Sequence, residues 1–132
     1  MKTSVAMTAF GNLFVSNVLV WSAARKKYEP IFLAWDTGAS VTTISASALK
    51  ILGYDLGGKK RDAIITASGR ETVKVLTLDK IKIAAIELSN VEVRAHEFPR
   101  ESFLVGVIGL NVMRDFDVNF VFSRGVVELT QN

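Results

Sequence analysis

Apolar and polar residues alternate along most of this chain with a period near two, in short runs rich in β-branched side chains. Turn-forming residues separate these runs at intervals of roughly 8–12 positions, a spacing typical of an all-β sandwich or barrel. The predicted strands are Ala6–Val15, Asn17–Ala23, Glu29–Trp35, Val41–Ser45, Asp62–Ala67, Glu71–Leu78, Lys80–Ile83, Val91–Arg94, Phe103–Ile108, Val118–Phe122 and Val126–Leu129. The pattern therefore predicts an all-β fold.

Two short helices are expected between these strands. Ser45 or Ser47 is predicted to cap a helical turn through Ala48–Leu52, because a serine hydroxyl can accept from an unpaired N–H of the first turn. Asn111 is predicted to cap a second short helix through Val112–Phe116. Neither helix is long enough to change the fold class.

One β-hairpin is predicted with particular clarity, because Asp62–Ala67 and Glu71–Leu78 flank a short polar tip. Gly69 in the tip can adopt positive φ without steric cost, as a tight turn requires. The tip carries no bulky apolar side chain, so we expect the hairpin to be mobile.

Length and composition set limits on the class of protein. The 132 residues form one predicted domain, 1–132, with 49% hydrophobic and 22% charged residues, an ordinary globular balance. The net charge is a mild +3, and the basic run 59–61 is interpreted as a solvated turn because no aromatic stacking platform lies beside it. We expect no nucleic-acid partner.

The chain contains no cysteine, which excludes disulfides, thiolate catalysis and thiolate metal sites and is compatible with a reducing compartment such as the cytoplasm. His96 is the single histidine, so a zinc site would need several carboxylates, and a serine triad is not favoured because no Gly-x-Ser-x-Gly elbow occurs. We expect His96 to be a solvated loop residue, and we expect neither a metal nor another cofactor.

The N-terminal segment weakly resembles a secretory signal, since Lys2 precedes an apolar stretch. Polar residues interrupt that stretch at Gly11, Asn12, Ser16 and Asn17, and no apolar run approaches membrane-spanning length. We therefore expect two strands here and no membrane span.

The strongest chemical signal is Asp36-Thr37-Gly38, which occurs once, directly after an apolar strand. Hydrolysis of a peptide by carboxylates alone needs two acids side by side. A chain with one such acid would obtain the second most simply from an identical chain across a two-fold axis.

The segment Phe32–Ser40 resembles the active-site strand and loop of the retropepsin-like aspartic proteases. Val107–Asn111 is similar to the family's second apolar strand, which ends at glycine before a short helix, and the predicted hairpin occupies the position of the family's flap. Ala39-Ser40 and the segment 109–117 are most similar to the bacterial, non-viral members. The resemblance implies an all-β acid-protease barrel, with one or two short helices, completed as a homodimer.

The resemblance also implies roles for individual residues and an extended peptide or protein as substrate. The implied catalytic residues are Asp36, Thr37 and Gly38, and the implied substrate-binding residues are Ala39, Ser40, Ala67, Ser68, Gly69, Ile108 and Gly109. Like-charge repulsion would keep one of two paired Asp36 carboxyls protonated, so that one takes a proton from water while the other donates to the scissile carbonyl. The Thr37 hydroxyls would bond across the dimer, and the Gly38 amide would donate to the acid.

Two departures from related proteases bear on subsite preference rather than on the reaction. No tyrosine lies near the hairpin tip, and Ser40 stands where viral members commonly carry an acid. Trp35 is unusually bulky, and strand alternation directs it away from Asp36 into the core.

Two other functions remain open at this stage. The same fold could hold a peptide without cutting it, as a non-catalytic or latent binding module, and a small nucleic-acid-binding barrel is suggested by the basic balance alone. For the dimer we expect interleaved chain termini with Val126–Leu129 as the interface strand, so that truncation after Arg124 would leave an inactive monomer.

Overall fold

The computed structural model describes residues 1–57, 61–66 and 69–132, with the backbone alone at 61, 62 and 64–66. The described elements are strands β1 (Lys2–Ala6), β2 (Thr8–Phe10), β3 (Leu13–Ser22), β4 (Lys27–Trp35), β5 (Thr43–Ile44), β6 (Arg61–Thr66), β7 (Gly69–Ile83), β8 (Ile86–Ala95), β9 (Gly106–Ile108), β10 (Phe116–Val121) and β11 (Val126–Gln131), with helices α1 (Ala46–Ile51) and α2 (Leu110–Met113) and a 3-10 turn at Arg100–Ser102. The predicted all-β fold is confirmed.

Strand pairing closes most of the chain into a barrel. The larger sheet has the order β2-β3-β4-β9-β5-β8-β7-β6, and β3 pairs a second time, with β7, at Leu19↔Lys82 and Val20↔Ile81. The interior is apolar, and Leu33, Ile81 and Ile108 in it are fully buried. Burial of each such side chain stabilises the fold by about 1.5–3 kcal/mol.

Strand β9 lies between β4, which leads into the Asp36 segment, and β5, which follows that segment. It pairs with β4 in parallel, at Ala34↔Val107, and with β5 antiparallel, at Thr43↔Val107. The connection 36–42 must therefore pass around the end of β9 to reach β5. This topology brings the Asp36 segment against the glycine at the end of β9.

A second sheet, here called the terminal sheet, has the order β1-β11-β10. Its central strand β11 pairs with β1 at Val5↔Val127 and with β10 at Phe120↔Val127. The expectation that Val126–Leu129 interleaves with a second chain is therefore wrong, because both of its edges are bonded within its own chain. Among the described strands, the unpaired edges of this sheet belong to β1 and β10.

The N-terminal strands differ from the prediction because the turn lies earlier. Gly11 adopts φ +61 in the turn between β2 and β3, and Thr8 pairs with Val15. Ser16, predicted at a strand boundary, is buried inside β3. The hydroxyl is tolerated in the interior because it is fully hydrogen-bonded.

The predicted buried strand Phe103–Ile108 is correct only for its last three residues. Phe103 is 80% exposed and left-handed, with φ +55, so the chain enters β9 only at Gly106. An apolar run can thus belong partly to a surface connection.

Of the two predicted helix caps, the one at Ser45 is confirmed and the one at Asn111 is wrong. The Ser45 hydroxyl accepts from Ala48 N at 3.3 Å, as predicted, although the helix begins earlier, at Ala46. Helix α2 begins at Leu110 after Gly109, so Asn111 lies inside the helix rather than capping it. Phe116, predicted to end that helix, instead begins β10.

The predicted hairpin is present as β6 and β7, paired from Arg61↔Lys74 to Thr66↔Gly69. Gly69 has φ +123, as expected for the tip, whereas the tip residues Ala67 and Ser68 lie outside the described residues. Strand β7 continues without a break to Ile83, so the separate strand predicted at Lys80 is part of it. Within the described part of the chain, no helix combines the length and apolar character needed to cross a bilayer.

Candidate active site

Asp36 lies where β4 ends, at a turn whose geometry its own carboxylate helps to define. The Gly38 amide donates to Asp36 Oδ1 at 2.9 Å, and the Ala39 amide donates to the Asp36 carbonyl at 3.2 Å. The Asp36 amide donates to the Ile108 carbonyl at 3.1 Å, which continues the β4–β9 ladder by one residue. The carboxylate is therefore held at a fixed place relative to both strands.

Space at Gly38 is limited by that same carboxylate. A Cβ added to Gly38 would lie 3.1 Å from Asp36 Oδ1, closer than ordinary van der Waals contact. Asp36 is half-buried, whereas Thr37 and Gly38 are exposed. The turn therefore presents the carboxylate and the threonine at the surface.

The rest of the connection is bonded to the start of α2. Leu110 N donates to the Ala39 carbonyl at 2.8 Å, and Asn111 N donates to the Ser40 carbonyl at 3.1 Å. These two bonds use N–H groups that a helix leaves unpaired at its first turn. The structure thus brings five predicted site residues, 36–40, together with Ile108 and Gly109.

A network of polar groups around the buried Thr42 joins the Asp36 connection to the end of β9 and to α2. Thr42 is fully buried, and both its amide and its hydroxyl donate to Asn111 Oδ1, at 2.8 and 2.9 Å. The Thr42 hydroxyl also accepts from Gly109 N at 3.0 Å, and Asn111 Nδ2 donates to the Glu92 carbonyl at 2.8 Å. Our sequence reasoning missed Thr42 as a site-supporting residue, and misassigned Asn111, because neither partner is near in sequence.

Gly109 is required by the closeness of the passing chain. A Cβ there would lie 2.6 Å from Val41 C, 2.7 Å from Thr42 N and 2.9 Å from the Ala39 carbonyl oxygen. All three are backbone atoms, which cannot move aside as the end of a side chain can. The glycine that ends β9 therefore makes room for the connection that carries Asp36.

Gly69 stands at the start of β7 and pairs with Thr66 across the hairpin. Its place over a bound peptide remains a prediction. Strand β7 of the hairpin is linked to the barrel through His96, whose Nε2 lies 3.5 Å from Glu71 Oε2 and whose amide donates to the Ile44 carbonyl. His96 is therefore half-buried beside a carboxylate, rather than simply solvated as expected.

Glu97, the residue after His96, bonds the first turn of α1 through its carboxylate. Its carboxylate accepts from the Ser47 hydroxyl at 2.8 Å, the Ser47 amide at 2.6 Å and the Ser45 hydroxyl at 3.1 Å. Ser47, chiefly, and Ser45 hold the pKa of Glu97 below its ordinary value of 4.5 by bonding the charged form. Among the described residues, no three His, Cys, Asp or Glu side chains are grouped as a metal site would need.

A groove of about 760 Å³ lies to one side of the Asp36 segment. It is mostly apolar and is lined by parts of β2, β4 and α1 and by residues 103–105, with Phe32 and Phe103 exposed in it. None of residues 36–40 lines it. The Asp36 turn is thus separate from this groove.

Comparisons with known proteins agree with this geometry. A family model described as "gag-polyprotein putative aspartyl protease" matches residues 6–115. No curated protein matches the chain. A solved structure, a retropepsin-like aspartic protease from Rickettsia conorii, matches with a TM-score of 0.71 at 20% identity, covering 98% of this chain and 89% of that chain.

At 20% identity the structural match shows the fold, and it confirms the retropepsin-like barrel expected from the sequence. The family match extends over most of the chain and includes Asp36, Thr37, Gly38 and Gly109. The chain belongs to the gag-polyprotein aspartyl protease family and has the retropepsin-like aspartic protease fold.

Proposed function

We propose that this protein is an aspartic endopeptidase that works as a homodimer, with one active site built from two copies of Asp36. The observation that carries the proposal is the single Asp-Thr-Gly turn, whose carboxylate is half-buried and fixed between β4 and β9. One chain supplies one such acid, so the second comes from an identical chain.

In the proposed reaction the two carboxyls share one proton, because two adjacent negative charges repel. The ionised carboxylate takes a proton from a water molecule as the water oxygen bonds to the scissile carbonyl carbon. The protonated carboxyl donates its proton to the carbonyl oxygen. As the resulting diol collapses, the carboxyl that took the proton from water gives it to the amide nitrogen, the C–N bond breaks, and the other carboxylate takes a proton from one diol hydroxyl. No metal and no covalent intermediate is needed.

The surrounding residues have supporting roles in this proposal. Thr37, exposed beside the acid, bonds to Thr37 of the second chain and keeps the carboxyls coplanar. Ala39, Ser40, Ile108 and Gly109 border the bound peptide, and the hairpin tip at Ala67, Ser68 and Gly69 closes over it as a flap. An extended peptide would add main-chain hydrogen bonds in the manner of an added strand.

The terminal sheet supplies the proposed dimer contact. The outer edges of β1 and β10 are unpaired among the described strands, and an edge strand readily accepts a strand from another chain. Phe120 on β10 stacks with Phe122, which is 65% exposed, so an aromatic surface adjoins that edge. This surface and the edge of β10 together suit burial against a second copy.

The test is mass spectrometry of a diverse peptide pool after incubation with the protein, with Asp36→Asn and with Asp55→Asn, from acid to neutral pH. Asp55-Leu56-Gly57 forms a similar turn, with Gly57 N 2.8 Å from Asp55 Oδ1, so Asp55→Asn is a matched control. We expect the parent and Asp55→Asn to cleave and Asp36→Asn to lose roughly 10³-fold in rate.

Sedimentation of the same samples measures the oligomeric state. Cleavage that survives in Asp36→Asn would overturn the proposal, as would cleavage by a protein that remains monomeric. A folded, dimeric protein that binds peptides and never cleaves them would instead be a latent or purely binding module.

A further inference from the structure

Trp35 connects the terminal sheet to the candidate catalytic turn. It directly precedes Asp36, its backbone pairs with Ile108, and its side chain is buried, with 8% exposed, as the sequence predicted. The indole contacts Phe120 of β10 edge-on, with ring centroids 5.7 Å apart. Because Trp35 is the last residue of β4, a displacement of its ring would also displace the end of this strand and the Asp36 carboxylate that follows it.

The indole N–H is satisfied by a buried hydroxyl on the neighbouring strand. Trp35 Nε1 donates to Ser16 Oγ at 2.8 Å, and Ser16 Oγ donates to the Ala6 carbonyl at 2.7 Å. Ala6 ends β1, so Trp35 is tied to both outer strands of the terminal sheet, to β10 by ring contact and to β1 through Ser16. Ser16 is 1% exposed, so this link is shielded from solvent in the folded protein.

We propose that Ser16 is a positioning residue, which sets the place of the Asp36 carboxylate by fixing the Trp35 ring against the terminal sheet. Where activity is the readout, this inference rests on the proposed function. Loss of the hydroxyl leaves the indole N–H and the Ala6 carbonyl without their partner inside the protein, and such groups rearrange to find another. Of these two groups, we expect the Trp35 side chain to change position, because the Ala6 carbonyl belongs to a paired strand. Asp36 is the next residue after Trp35, so its carboxylate would be displaced as well.

The chain offers a matched control on the same strand. Ser22 is also fully buried, and its hydroxyl makes the same kind of pair, donating to the Leu52 carbonyl at 3.2 Å and accepting from Arg25 N at 3.1 Å. It lies at the opposite end of β3 from Ser16, away from Trp35. Ser22→Ala therefore removes an equivalent buried hydroxyl without touching the link.

The experiment compares Ser16→Ala, Ser22→Ala and Trp35→Phe, and combines Ser16→Ala with Trp35→Phe. The first readout is the NMR resonance of the Gly38 amide, which reports the position of Asp36 Oδ1 with no need for turnover. The second is the steady-state cleavage of a peptide identified from the pool. Urea unfolding of each variant separates a general loss of stability from a change at the site.

We expect Ser16→Ala to shift the Gly38 amide resonance and to lower kcat about tenfold with KM within about twofold, because the acid is displaced and the peptide contacts are kept. Ser22→Ala should lose similar stability and change neither quantity. Trp35→Phe keeps an aromatic ring, though a smaller one, and removes the indole N–H, so it should shift the Gly38 resonance and lower kcat as Ser16→Ala does. Adding Ser16→Ala to Trp35→Phe should lower kcat no further.

Equal effects of Ser16→Ala and Ser22→Ala on the Gly38 resonance would overturn the inference. So would an undiminished effect of Ser16→Ala in the Trp35→Phe background. If Ser16→Ala does not fold, an unchanged Gly38 resonance in Trp35→Phe is decisive against it. A parent protein that cleaves nothing would contradict the proposed function and leave this inference intact. The Gly38 resonance would still test whether Ser16 sets the position of Asp36 through Trp35.

Discussion

Two Asp-x-Gly turns occur in this chain, Asp36-Thr37-Gly38 and Asp55-Leu56-Gly57, and locally they are almost the same. In each, the glycine amide donates to the aspartate Oδ1, at 2.9 Å in the first and 2.8 Å in the second. A Cβ on the glycine would lie 3.1 Å from that oxygen in the first turn and 3.2 Å in the second.

The two turns differ in burial and in their bonds to a neighbouring strand. Asp36 is half-buried at the end of a paired strand and is bonded to Ile108, whereas Asp55 is exposed on the segment that follows α1. A short turn can thus orient a carboxylate by itself, as Asp55 demonstrates. A candidate site requires a second strand that fixes where the turn lies, and β9 with Gly109 supplies it.

The largest expected effect comes from filling the space that β9 leaves for the Asp36 connection. Gly109→Ala places a methyl against three backbone atoms, so we expect a loss of about 3 kcal/mol in the free energy of unfolding, measured with urea. Gly11→Ala is the control: apart from its chain neighbours, no atom of the described residues lies within 4 Å of an added Cβ, so its positive φ alone causes strain, about 1 kcal/mol. Equal losses would mean that close approach is not what separates the two turns.

The next effect concerns the polar network under the junction. Thr42→Val removes the hydroxyl that accepts from Gly109 N, and leaves this buried N–H unpaired at a cost of about 2 kcal/mol. Thr43→Val is the neighbouring control, since among the described residues its hydroxyl bonds the Val41 carbonyl alone, at 3.2 Å. If urea unfolding shows the same change for both, Thr42 does not support the site.

A smaller effect separates position from stability. Gly38→Ala and Gly57→Ala place a methyl equally close to an aspartate oxygen, so both should cost below about 1 kcal/mol. Under the proposed function, only Gly38→Ala should lower kcat, by about tenfold, because only that carboxylate reacts. Peptide cleavage at saturating substrate measures the difference, and equal kcat values would argue that the Asp36 position is not critical.

The smallest effect tests how the segment leading into β9 is held. Because the folded-state pKa of Glu97 is lowered, its bonds to Ser45 and Ser47 stabilise the fold above the unfolded pKa, and this stability is lost as pH falls through the folded pKa. The parent should exceed Glu97→Gln in stability by less than about 1 kcal/mol at neutral pH, after solvent screening.

That difference should shrink below about pH 4.5 in urea titrations at several pH values. Glu101→Gln is the control, because it removes an exposed charge from the same segment without touching the α1 cap. A difference that stays constant with pH would contradict this account of Glu97.

The features that sequence predicts correctly here are local ones. The strand that leads into Asp36, the hairpin ending at Gly69 and the cap at Ser45 each depend on residues a few positions apart. Alternation also placed Trp35 in the core. Their signals can be read from spacing alone.

The features that were missed depend on distant partners. Asn111 has the local character of a helix cap, yet its side chain bonds Thr42, 69 positions away. Phe103 continues an apolar run, yet it lies in a left-handed surface turn. Val126–Leu129 has the pattern of an interface strand, and only the pairing with β1 shows that its edges are already occupied.

The pairing of β1 with β11 joins Lys2 to Thr130, so it closes nearly the full length of the chain into a loop. The entropy cost of closure increases with loop length, and contacts between residues far apart in sequence slow folding. Among the described strand pairings, β1–β11 joins the residues that lie farthest apart in sequence, so this pairing should form last. Trp35 would then gain its link to Ala6 of β1, through Ser16, only at the final step of folding.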